Sequence, residues 1–212
     1  MVKVQETAAP LVPSRPTLDR LRDAAARCTA CELHLLGTQT VFGEGPAPAH
    51  VMMVGEQPGD REDLEGHPFV GPTGKLLDRA LEEAGIPRDD VYLTNVVKHF
   101  RWEGTRGKRR IHRKPSMAHI TACRPWLEAE LAVVKPKVLV CLGATAAQAI
   151  VGRGFKVTEH RGELLEVAGI DTFVTATVHP SSVLRARDDE TRKTEMKAFV
   201  RDLANVGRAL EG

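Results

Sequence analysis

No stretch of the 212 residues approaches the roughly 18 apolar residues of a membrane span, so no spanning helix is expected. The opening residues, Met1 to Thr17, hold Pro10, Pro13 and Pro16 and lack the apolar core of about 7–15 residues that a signal peptide needs. They read as a disordered tail before one domain over residues 18–212, and a cytoplasmic, monomeric protein is expected. Cysteine is limited to Cys28, Cys31, Cys123 and Cys141. In a reducing compartment these read as metal ligands or buried thiols rather than disulfides. Net charge is also missing, at only +2, so global electrostatics announces no nucleic-acid partner. Its distribution does. From Lys98 to Lys114 the chain carries eight Lys or Arg residues against a single acid, Glu103.

Short apolar runs are present, and they alternate with amphipathic segments. Thr17 is placed to cap a helix reaching about Arg27. His50–Val54, Asp90–Val97, Lys137–Leu142 and Thr172–Val178 read as buried strands, with Glu163–Val167 a further candidate. Gly74–Ala84, Ser116–Val134, Thr145–Val151 and Thr191–Ala209 read as helices, and Pro125 predicts a break or kink in the second. The basic segment has Gly104 and Gly107 and no apolar period, so it reads as a loop. Strands alternating with helices predict a single-domain αβα sandwich around a mostly parallel sheet. Ligands of such sheets sit beyond the carboxyl ends of strands. Gly55–Gly59, Asn95 onward, Gly143–Thr145 and His179–Ser182 converge there.

Cys28-x-x-Cys31 is a local pair, with Cys123 and Cys141 far downstream. Four thiolates satisfy zinc and a cubane cluster alike, and Cys141 alone reads equally as a buried strand thiol. Gly71-Pro-Thr-Gly-Lys75 fails as a phosphate-binding loop, because Phe69 stands where the first glycine belongs and Leu76 follows the lysine.

An ordered set of motifs is more specific than any one of them. Gly55-Glu-Gln-Pro-Gly59, Gly66 to Leu77, Thr94-Asn-Val-Val-Lys98 and His179-Pro-Ser-Ser-Val-Leu-Arg185 resemble, in order, those of uracil-DNA glycosylases. The four-cysteine pattern resembles the iron–sulfur branch called family 4. The insertion Lys108-Arg-Arg-Ile-His112 looks like the defining loop of its UdgX subgroup. The resemblance implies a [4Fe–4S] cluster on Cys28, Cys31, Cys123 and Cys141. It also implies uracil-containing DNA as partner, with single strands preferred because a base without a pairing partner is cheaper to flip.

Excising uracil requires a flipped base, a donor to the departing oxygen, and negative charge near the sugar cation, followed by a nucleophile. By resemblance, Phe69 stacks on the base beside Gly55. Asn95 reads uracil by accepting from N3–H and donating to O4, a pattern cytosine reverses. His179 donates to O2, and Glu56 supplies the carboxylate. Gln57 stands where well-known uracil-DNA glycosylases carry a water-activating acid, and an amide is a poor base. His112 offers the replacement, since neutral imidazole is a nucleophile near pH 7. UdgX-like proteins are understood to end with this histidine joined to the sugar. Lys108, Arg109 and Arg110 are expected on phosphates, with Ser181 and Arg185 near the backbone of the flipped nucleotide. The competing readings are a turning-over glycosylase in which His112 only binds, and a zinc-stabilised nucleic-acid-binding module.

Overall fold

The computed structural model describes residues 7–211. Its elements run α1 (Leu18–Ala25), α2 (Leu33–Leu36), β1 (Val51–Gly55), α3 (Asp60–Glu65), α4 (Pro72–Glu83) and β2 (Val91–Asn95). They continue with β3 (Trp102–Arg106), β4 (Arg109–His112), α5 (Met117–Val134), β5 (Val138–Leu142) and α6 (Ala144–Ile150). The last are α7 (Val157–His160), β6 (Leu165–Val167), β7 (Ile170–Thr177), α8 (Pro180–Leu184) and α9 (Asp189–Glu211).

Five strands form the central sheet in the order β2-β1-β5-β7-β6, and β1 pairs in parallel with both β2 and β5. β5 pairs in parallel with β7, and only β6 runs antiparallel. The αβα sandwich and mostly parallel sheet expected from the sequence are what the fold shows. Both faces are covered, which is why the strands read as continuous apolar runs. On β1, Met52 and Val54 face a core with Leu21, Trp126 and Leu139, while Val51 and Met53 face one with Leu77, Leu81 and Phe199. Each such fully buried side chain contributes about 1.5–3 kcal/mol, and the two cores clamp the sheet between them.

Three expectations are corrected. The first is the tail. Residues 1–6 lie outside the described residues, but from Thr7 the chain is docked: Ala8 is fully buried and donates to the Ala122 carbonyl at 2.8 Å. The second is Pro125, which lies inside an unbroken α5. Proline removes one N–H, and the other bonds of an 18-residue helix carry it through. The third is the basic loop, which is a β-hairpin. β3 and β4 pair Trp102 with His112 and Arg106 with Arg109, closed by Gly107 and Lys108. Gly107 takes φ +62°, a conformation most side chains resist. No apolar alternation marks these strands because neither face joins the core. Thr17 does cap α1, accepting from the Arg20 amide at 3.3 Å.

Candidate active site

The parallel register brings Gly55 and Asn95 abreast at the carboxyl ends of β1 and β2. Asn95 packs so closely that a Cβ on Gly55 would lie 2.3 Å from its Oδ1, so glycine is required there. β5 and β7 end alongside, delivering Gly143 and His179. Together with the hairpin they enclose a cleft of about 650 Å³ lined by Glu56, Phe69, Asn95, His112, Thr145 and His179. The structure thus brings these six residues, all named from the sequence or adjoining those named, around one cleft.

Asn95 is 2% exposed, and its Nδ2 has no hydrogen-bond partner among the described residues. Leaving a buried donor unmade costs about 1–3 kcal/mol, a cost that an incoming acceptor would remove. Phe69 is also buried, in a left-handed conformation at φ +55° that is strained for an aromatic residue. Its ring lies 6.1 Å from that of His179, at 26° between planes.

His179 has a defined tautomer. The Ser181 amide donates to its Nδ1 at 3.2 Å, and the Ser181 hydroxyl lies 2.8 Å from the same atom. Nδ1 therefore carries no proton, and Nε2 is the N–H left for a ligand. Burial pushes the imidazole down to about 4, with Arg185 and His112 adding to the effect against the pull of Glu56, so it is neutral near pH 7. Arg185 donates to the Ser181 hydroxyl at 3.0 Å. Within the protein, then, Ser181 and Arg185 serve to orient His179.

Glu56 bridges two elements. One oxygen accepts from Thr145 at the start of α6, and the other lies 3.2 Å from His112 Nε2. Burial would raise its carboxyl, but the bonds to His112 and Thr145 and the charges of His112 and Lys114 outweigh this, holding it below the usual range. It is an anion beside a half-exposed imidazole. Glu62, which sequence reasoning passed over, also lines the cleft. Burial raises it to about 7, against the amides of Gly59 and Phe69.

Gln57 and Arg110 have different tasks from those expected. The Gln57 amide donates to the carbonyls of Arg101 and Arg113 and accepts from the Arg101 N–H, at 3.0, 3.2 and 3.2 Å. It staples both roots of the hairpin and is fully occupied by backbone. Arg110 is turned inward, 2.5 Å from Asp60 and 2.7 Å from Asp63, over the rings of Phe100 and Trp102. It pins the hairpin to α3 and is not presented to phosphates. Lys108 and Arg109 remain exposed, and among the described residues neither forms an ion pair.

The cysteines divide. Burial pushes the Cys31 and Cys123 thiols up, and Cys28 lies near enough to both to add to the effect. Cys141 is fully buried on β5, and burial alone pushes it to about 12. The expected four-cysteine group is therefore not formed. Nor, among the described residues, do any three His, Cys, Asp or Glu side chains gather tightly enough to chelate a single ion. A cubane cluster holds its ligands farther apart than one ion does. Sequence reasoning also missed His99, buried next in chain to Lys98, whose amide donates to Cys123 Sγ at 3.3 Å. The Thr40 hydroxyl donates to the Ala25 carbonyl at 2.8 Å, so its 3.0 Å contact with His99 Nε2 makes that nitrogen the donor. Nδ1 of His99 is left with its lone pair. No sequence signal separates this histidine from an ordinary core one.

Fold and cleft together define an α/β protein with a polar cleft at the ends of its parallel strands. Comparison with known proteins makes the assignment. The model of the uracil DNA glycosylase superfamily matches residues 42–204, and the chain belongs to that superfamily. Among similar proteins, a type-4 uracil-DNA glycosylase of Thermotoga maritima is 39% identical over 83% of this chain and 88% of its own. One of Pyrobaculum aerophilum is 35% identical over 79% and 85%. The crystal structure of wild-type Pedobacter heparinus SMUG2 shares the fold at a TM-score of 0.55, with 12% identity over 77% of this chain and 76% of that one.

Proposed function

We propose that the protein excises uracil from DNA and then captures the abasic sugar covalently through His112, as the resemblance to UdgX implies. The observation that carries the reading is the Glu56–His112 contact at 3.2 Å within the cleft. The uracil side of the reaction follows from the strand ends. Asn95 offers its unpartnered N–H to O4 and its carbonyl to N3–H, and Phe69 covers the ring. His179 Nε2–H donates to O2 as negative charge develops there.

The C1′–N1 bond then breaks with its electron pair going to uracil, which leaves a sugar cation beside Glu56. Gln57 can activate no water, since its amide is committed to the hairpin roots. Glu56 accepts from one ring nitrogen of His112, leaving the other with a lone pair. That nitrogen attacks C1′ to form the new carbon–nitrogen bond, and the proton on the other nitrogen passes to Glu56, so that the alkylated ring ends neutral. Held beside the sugar, the imidazole outcompetes water through effective molarity. The carbon–nitrogen bond formed has no release step, so one protein handles one site.

The donor set fits an iron–sulfur cluster with one change. Cys28, Cys31 and Cys123 would hold it, and His99, with Nδ1 free, would take the place that Cys141 does not reach. Cys28 Sγ and Cys123 Sγ accept N–H bonds from Trp126 and Lys98, each 3.3 Å long, which favours the thiolates a cluster requires. Bound there, a cluster supplies a cross-link between the segment before β1, the root of the hairpin and α5.

The deciding experiment mixes the protein with a single-stranded uracil oligonucleotide and resolves the products under denaturing conditions. One DNA should shift per protein, with one uracil released. Many uracils released without a shifted band would mean ordinary turnover, with His112 only binding.

A further inference from the structure

β2 is the outer strand of the sheet, and among the described residues no sixth strand partners its outward carbonyls. The chain satisfies them one by one. Arg88 donates to Val91 O at 3.0 Å, the Glu44 backbone pairs with Leu93, and Lys98 Nζ donates to Asn95 O at 2.7 Å. The third solution differs from the others. Lys98 is 1% exposed, and it is held at 2.5 Å by Glu130, which is 0% exposed. Glu130 also accepts from Thr94 Oγ1 at 2.9 Å, Tyr92 Oη at 3.0 Å and Gly43 N at 3.2 Å.

Stability alone does not account for this arrangement. Burying two charges costs much of what their attraction returns, and apolar residues of similar size usually serve as well. What the pair adds is fixed geometry at one point. Asn95 faces a conflict: its side-chain amide must stay free for a ligand, so no hydrogen bond inside the protein can aim it. Among the described residues none does. The direction of that amide is set instead by its packing on Gly55 and by the course of the main chain that carries it.

We propose that Lys98 and Glu130 form a positioning pair for base recognition, anchoring the Asn95 main chain so that its free amide points at the pairing edge of the base. Neither side chain touches the base. Lys98 ties the Asn95 carbonyl to Thr94 Oγ1, at 2.5 Å, and to Glu130 on α5. The strand end is thus tied to α5, a helix whose own residues are packed in the core. The proposal rests on Asn95 as the reader of uracil.

The test replaces the pair by apolar residues, Lys98→Met with Glu130→Leu, because a single change would strand a buried charge. Uracil release is measured under single-turnover conditions, together with affinity for free uracil and for DNA carrying a stable abasic-site analogue. The double variant should fold, keep its affinity for abasic DNA, and lose about tenfold or more in both uracil affinity and release rate. Cytosine release should rise relative to uracil release. A folded double variant with wild-type uracil affinity overturns the proposal, and so does one that fails to fold, since the pair is then a folding element. Asn95→Asp, run alongside, separates the two layers. If it leaves uracil release unchanged, the reading of Asn95 fails. If it abolishes release while the double variant retains it, only the positioning pair fails.

Discussion

The strand ends and the hairpin meet over one cleft and are built in opposite ways. Gly55, Asn95 and His179 stand at the carboxyl ends of core strands, with Asn95 buried and His179 fixed in one tautomer. His112 projects from a two-stranded hairpin that shares no strand with the sheet, and its side chain is 47% exposed. Reading a base demands donors and acceptors held still, which a parallel sheet clamped between two cores provides. The capture proposed for His112 demands a reactive group beside the sugar, and a hairpin outside the core can carry one there. The two are coupled at few places. Gln57 staples the hairpin's roots, Arg110 pins its second strand to α3, and Glu56 joins His112 to the sheet end.

The comparison breaks most sharply at His112. Replacing it with Ser should abolish the denaturant-stable DNA band entirely, while uracil release persists and turns over, because the strand-end groups remain. Gel mobility and released uracil, followed in one reaction, check both halves. A surviving adduct would assign the nucleophile to another residue.

A second large effect concerns the hairpin's root. Cys141→Ala should leave iron and sulfide content near four of each per chain. His99→Ala should lower it or make the cluster labile, and His99→Cys should restore it. Absorbance near 400 nm and metal analysis read this without any DNA. Iron loss in Cys141→Ala with retention in His99→Ala would return the fourth position to Cys141.

The strand end has its own signature in pH. Folded His179 titrates at about 4, well below the ordinary 6.5. Between those values the unfolded chain binds a proton that the folded one refuses, so this residue makes stability fall as pH drops from 6.5 towards 4. The donor proposed for uracil O2 is the neutral ring, so uracil release in His112→Ser should hold until pH approaches about 4. A limb near 6.5 that persists when Glu62 is also replaced by Gln would show that His179 is not enclosed as described. Glu62 runs the other way. Its folded value of about 7 is raised, so its contribution is present at low pH and lost as pH rises through 7. Any limb near 7 should vanish in Glu62→Gln.

Much of the sheet end was legible because its chemistry is local. A strand buried on both faces reads as an apolar run, and Gly55, Asn95 and His179 lie at or just beyond the ends of such strands. The hairpin was not, since β3 and β4 bury neither face and leave no periodic mark. Nor could sequence show which cations of the basic segment are spent internally. Lys98 belongs to Glu130 and Arg110 to Asp60 and Asp63, and these pairings are made only by the tertiary fold. The division of the cysteines is equally tertiary. Cys141 lies on a core strand, whereas Cys123 meets the segment after β2 across α5.

The smallest expected effect lies within the hairpin and tests that internal spending of charge. Phosphate binding releases counterions, so each lysine or arginine that truly holds a phosphate adds about one unit to the slope of log affinity against log salt. Lys108 and Arg109 are exposed and free of ion pairs among the described residues, so neutralising either should lower the slope by about one. Arg110 is 15% exposed, and two carboxylates already balance it. Arg110→Gln should therefore leave the slope nearly unchanged. It should slow adduct formation instead, because unpinning β4 from α3 lets His112 drift from Glu56. It should also destabilise the fold, since Asp63, wholly buried, keeps the Thr38 amide but loses its cation; breaking such a pair costs about 3–5 kcal/mol. Salt titrations of the three variants, read beside adduct rates and thermal melting, distinguish the cases. A full unit of slope lost at Arg110, with adduct rate intact, would mean that this arginine swings out to the DNA and that the hairpin is held by Gln57 alone.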